Sequence, residues 1–86
     1  MVTWKNFQDL LREIRTTHRL SQEKCGNLMG CGRIYINRLE NGIRKPSKFF
    51  LYRFEHNFSL DQRQKCLVTS FRLMIDHHYA TLDTQS

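Results

Sequence analysis

Arg33, Asn37, Arg38 and Asn41 are the residues whose types and spacing could do chemistry in this chain of 86 residues, and that chemistry is recognition. At about 100° per residue on an α-helix, these four and Ile34 fall on one side of the segment 32–42, with Ile36, Leu39 and Ile43 on the opposite side. One face is fit to pack and the other to touch something polar. Arginine carries a planar fork of donors and asparagine a donor beside an acceptor, groups that match the edges of guanine and adenine in the major groove of DNA. Outward arginines are also what an ordinary solvated helix carries, so spacing alone leaves both readings open.

The elements that must position this face are all helical. Gly32 is placed to cap the recognition segment and Gly42 to end it in the left-handed region, for a helix of about ten residues. Upstream, Thr3 caps a first helix whose Trp4, Phe7, Leu10, Leu11 and Ile14 recur at helical spacing and stop near Thr16 to His18. Ser21 caps a second, from Gln22 to about Met29, with Leu20 and Cys25 spaced as a hydrophobic staple and Gly30 and Cys31 as the turn. Gly26 in its middle costs roughly 1 kcal/mol against alanine, a cost that makes sense where another helix crosses closely. Pro46 or Ser47 opens a fourth helix through about His56, with Phe50, Leu51 and Phe54 inward and Phe49 and Phe58 flanking. Ser59 with Gln62 reads as a capping box for a long fifth helix over about 60–82. Its stripe of Leu67, Val68, Phe71, Met74, Ile75, Tyr79 and Leu82 is broad, and Cys66 and Leu73 lie on a second side, surplus that suits a partner.

Composition excludes several classes. A single domain of this size buries only about 60–65% of its unfolded surface, so a dimer interface would help it. The net charge is +6, and residues 1–58 carry the whole excess: eleven Lys and Arg against five Asp and Glu, with three of each in the remainder. Such a surface attracts polyanions, nucleic acid first; no segment pairs a basic face with a large apolar one, so a membrane partner is not expected. Three cysteines, an odd number, and the lack of a signal-like apolar start point to a reduced, cytoplasmic setting. Cys25, Cys31, His77 and His78 are the side chains a metal would choose, yet no Cys-x-x-Cys or His-x-x-x-His spacing occurs, so core thiols and no metal or cofactor are expected. His77 and His78 suit an interface or a helix end instead. Paired carboxylates, a nucleophile beside a base and a phosphate-binding loop are all missing, which points away from an enzyme.

Taken together, Leu20-Ser21-Gln22-Glu23, Gly30, Arg33, Tyr35-Ile36, Arg38-Leu39-Glu40-Asn41-Gly42 and Pro46-Ser47 resemble the helix-turn-helix family of phage repressors and Cro proteins, the xenobiotic-response-element type, over roughly residues 5–61. The resemblance implies an all-α fold of five helices, a single domain over 1–86 with its reading motif at 21–42, and the third helix lying in the major groove. It implies base contacts from Arg33, Ile34, Asn37 and Arg38. Gln22 and Asn41 would clamp phosphates on either side of the groove, with Arg44, Lys45 and Lys48 as further phosphate or minor-groove contacts. It also pairs Glu40 with Arg15 as a partly buried structural link. The chain departs from the family pattern at Cys25, Gly26, Cys31 and Ile34; the last, usually polar, is suited to a thymine methyl.

The expectation is therefore a homodimeric, sequence-specific DNA-binding transcription regulator of bacterial or phage origin, located with the nucleoid. It would act on an inverted-repeat operator, including its own, as Cro-like repressors, anti-CRISPR-associated regulators and restriction-modification controllers do, dimerising through Leu73 and Tyr79 on the fifth helix. Glu23 lies where activating members of the family present acid to RNA polymerase. The alternative is an antitoxin or other interaction module whose long helix masks a cognate protein while the motif binds its own promoter.

Overall fold

The computed structural model describes the backbone of residues 1–85 and the side chains of residues 1–77, so the expected roles of His78, Tyr79 and Leu82 lie outside the described side chains. Five helices follow one another: α1 (Trp4–Thr17), α2 (Gln22–Met29), α3 (Arg33–Glu40), α4 (Lys48–Asn57) and α5 (Gln62–Gln85), with no strand among the described residues. All but α3, which starts at Gly32, begin at a residue whose polar side chain stands beside the orphan backbone groups. Thr3 leaves the helix in extended backbone, and its N–H and hydroxyl donate to Asn6 Oδ1 at 2.7 and 3.2 Å. Ser21 Oγ accepts from Lys24 N–H at 3.1 Å, and Ser47 Oγ from Phe50 N–H at 3.0 Å.

The start of α5 differs from the expected one. Its capping box is Asp61 with Gln64: Asp61 Oδ1 accepts from Gln64 N–H at 2.8 Å, and Gln64 Oε1 from Asp61 N–H at 2.9 Å. Ser59 with Gln62 has the same three-residue spacing, but Phe58 and Leu60 on either side of Ser59 are buried, which holds the connection extended until Asp61. The end of α3 differs as well. The helix has eight residues, Asn41 closes it, and Gly42 at φ 74° turns the chain away. Ile43 therefore does not continue the inward stripe of Ile36 and Leu39; it is 73% exposed.

The core sits where α1, α4 and α5 meet over the α2–α3 pair. Phe7 of α1 is the pivot, edge-on to Phe50 of α4 (centroids 6.1 Å apart) and to Phe71 of α5 (5.5 Å), and Trp4 stacks on Phe71 at 5.9 Å. These edge-to-face geometries add stabilisation to the area the rings bury. From α2 and α3 come Cys25, Met29, Ile36 and Leu39, and from α5 Val68, Phe71 and Ile75, all buried. Cys31 packs against the core half-buried, whereas Cys66 lies exposed on the outer side of α5 with Leu73, which is 62% exposed. No helix among the described residues is long and apolar enough to cross a membrane, and no cluster of three or more metal-ligating side chains is present among them.

Candidate nucleic-acid interface

The orientation of α3 is set by backbone contacts before any side chain acts. Gly30 ends α2 in the left-handed conformation at φ 72°, and the N–H groups of Cys31 and Gly32 then both donate to the Gly26 carbonyl, at 2.9 and 3.3 Å. A Cβ on Gly26 would run into the carbonyl of Gly32 and the nitrogen of Arg33. The close crossing inferred from Gly26 is therefore the start of the recognition helix passing over the middle of α2. Ile36 and Leu39 anchor the inner side of α3 in the core, which leaves Arg33, Ile34 and Arg38 facing outward; Ile34 is 61% exposed.

The far end of α3 is tied to α1. Glu40 is 2% exposed; its carboxylate accepts from Arg15 Nε at 2.6 Å and Nη2 at 3.0 Å, and Arg15 Nη1 donates to the Leu20 carbonyl at 2.9 Å. The hydrogen bonds from Glu40 push the Arg15 guanidinium above its ordinary pKa, so the cation is fixed. Arg12, one turn earlier, adds its Nη2 to the Glu40 carbonyl at 3.0 Å, and its Nε stands 3.5 Å from the carboxylate. Sequence reasoning passed over Arg12, although its spacing of three from Arg15 puts both on one face of α1.

Gln22 is half-buried between the two helices. Its Nε2 points to Glu40 Oε1 at 3.4 Å and its Oε1 accepts from Asn37 Nδ2 at 3.2 Å. Asn37 is thus half-buried and already oriented, while Asn41 is exposed and donates to the Asn37 carbonyl at 3.0 Å. Beyond Gly42, Arg44 lies over the Tyr35 ring at 5.4 Å and Lys45 over the Trp4 ring at 6.0 Å, both exposed. Lys48 stands apart from these: its Nζ pairs with Asp76 Oδ1 of α5 at 2.9 Å.

The electrostatics of this surface follow from which charges are spoken for. Between Gly32 and Lys48 the one acidic residue is Glu40, buried and neutralised. Among the described residues Arg33, Arg38, Arg44 and Lys45 take part in no ion pair, so four exposed cations of this segment stand without a carboxylate partner. Such an array attracts a chain of phosphates.

The profile of the helix-turn-helix family matches residues 11–61, from the middle of α1 to the cap of α5. The chain belongs to the helix-turn-helix family of Cro/C1 type. It is thus a DNA-binding domain of the kind found in transcription regulators. No curated protein and no solved structure matches the chain significantly. The helix-turn-helix match includes Arg12, Arg15, Gln22 and Glu40 along with the outward face of α3, and it ends before α5 begins.

Proposed function

We propose that this helix-turn-helix protein is a homodimeric transcription regulator that reads an inverted-repeat operator, including one at its own promoter. The observation that carries the reading is the division of α3. Its inner side and both ends are locked by Gly26, Glu40 and Arg15, while Arg33, Ile34 and Arg38 stand free on the outer side. In this reading Arg33 and Arg38 meet guanine edges, Ile34 a thymine methyl, and Asn37 a base beside them, held in place by Gln22. Gln22, Asn41, Arg44 and Lys45 hold phosphates. Lys48, turned toward Asp76, contributes to the field more than to a contact.

Dimerisation through α5 is supported by Leu73, a large apolar side chain left on a helix face that the core does not use. Two recognition helices in successive major grooves on one side of the duplex lie about 34 Å apart, which sets half-site centres about 10 base pairs apart. The test is selection of bound sequences from a random DNA pool, with wild type and Arg38→Ala in parallel. The expected outcome is an inverted repeat with guanine in each half-site, and loss of about 1–3 kcal/mol of preference at one position per half in the variant. A single asymmetric site, or unchanged preference for Arg38→Ala, would refute the geometry.

A further inference from the structure

A cleft of about 360 Å³ opens between the recognition helix and α5. Its walls are Trp4 and Tyr35, its apolar lining includes Met74 and Ile75, and Arg44 and Lys45 stand at its edge. The volume falls at the small end of the range for small-molecule sites, about 300–1,000 Å³. The chemistry of the lining is mixed in a specific way. Two aromatic rings and two aliphatic side chains face the same space as two cations, each over a ring, and neither cation has an ion-pair partner among the described residues. No carboxylate lines it. A DNA phosphate would satisfy the cations and leave the apolar side unused. A neutral apolar molecule would do the reverse.

We propose that this cleft binds a small amphipathic carboxylate, with its aromatic or aliphatic body between Trp4, Tyr35 and Met74 and its carboxylate on Arg44 and Lys45, and that the bound anion weakens DNA binding. The second half rests on the assignment of Arg44 and Lys45 to phosphates. Both ligands then draw on the same two cations, and by linkage each lowers the affinity of the other by the same factor. The apolar lining sets the selectivity of the site: inorganic phosphate offers charge without a body to bury, and an amide offers a body without charge.

Trp4 is the sole tryptophan of the chain, so its emission reports on the cleft without a label. Phenylbutyrate and octanoate are titrated into the full chain, with phenylbutyramide, octanamide and inorganic phosphate as controls. A saturable change in Trp4 emission is expected for at least one carboxylate, with its amide weaker by about tenfold or more, since it loses charge assistance from both cations. Lys45→Met, which keeps the stem and removes one of the two charges, should weaken the carboxylate severalfold while leaving the amide unchanged, and Met74→Glu should abolish the response while circular dichroism shows both variants folded. The absence of a saturable change with both carboxylates up to their solubility limits, equal affinity of amide and carboxylate, or the same response from inorganic phosphate would each overturn the site. A second arm measures DNA affinity with and without the carboxylate that binds. Competition is expected; binding in the cleft with unchanged DNA affinity would overturn the coupling and leave the site standing, and a protein that fails to bind DNA at all would still be read by the Trp4 arm.

Discussion

Truncating Glu40 tests the idea that one buried carboxylate holds the recognition helix to α1. Glu40→Ala removes both hydrogen bonds from Arg15 and leaves that guanidinium, 16% exposed, with the Leu20 carbonyl as its remaining partner. Removing one member of a buried pair costs about 3–5 kcal/mol because the survivor stays desolvated; Arg15 keeps some solvent and a carbonyl, which places the expectation near about 3 kcal/mol. At roughly 0.05–0.15 kcal/mol per residue a domain of this size holds about 4–13 kcal/mol in total, so the loss is a large share. It corresponds to a melting point lower by about 12–24 °C. Urea and thermal unfolding followed by circular dichroism read both numbers. The companion variant Arg15→Met with Glu40→Leu removes both charges at similar volume and should recover most of the loss, since the desolvation cost goes with them. A loss under about 1 kcal/mol for Glu40→Ala, the size of an exposed pair, would refute the argument, as would a double variant no more stable than the single one.

Gly26→Ala should destabilise the domain far more than helix propensity alone would suggest, because the added methyl meets backbone atoms of Gly32 and Arg33 that cannot swing aside; a variant as stable as wild type in urea would show that α2 and α3 can separate. Burial pushes the Cys25 thiol up to about 11, so iodoacetamide at neutral pH should label exposed Cys66 in the native protein and reach Cys25 only on unfolding, as peptide mass mapping would show. Leu73→Glu should yield monomers by light scattering with much weaker operator binding, and its unfolding midpoint should no longer rise with protein concentration. Persistent dimers would move the interface away from this face of α5.

The helices and the turn were legible because their punctuation is local. Ser21, Gly30, Gly32 and Gly42 each act within a few residues of where they stand, and Gly26 announced a crossing by its cost. Ile43 was misplaced because the helical repeat was carried past Glu40, where the positive φ of Gly42 ends it. The capping box of α5 is misplaced by the Ser59 and Gln62 spacing because a second pair with the same spacing, Asp61 and Gln64, lies two residues on, and burial of Phe58 and Leu60 favours the second. The link from Gln22 to Asn37 and Glu40 spans residues separated by 15 and 18 positions, so it follows from how α2 crosses α3 and has no signature in spacing. The ion pair of Lys48 with Asp76 joins residues 28 positions apart, so it follows from how α5 packs alongside and has no signature in the basic run that Lys48 belongs to.

The locking of α3 at both ends has a consequence for how such a protein changes its target. Everything that fixes the helix comes from its inner side, its backbone, its glycine start and its carboxylate end, and none of it from the side chains of Arg33, Ile34 or Arg38. Those three positions are therefore interchangeable parts on a rigid frame. Side chains of similar bulk can be exchanged there with effects on stability of about 0.5 kcal/mol or less, as for surface positions in general. In the proposed reading the operator can drift one letter at a time while the fold stands still, and a library that exchanges these three side chains for others of similar bulk should return folded proteins nearly throughout.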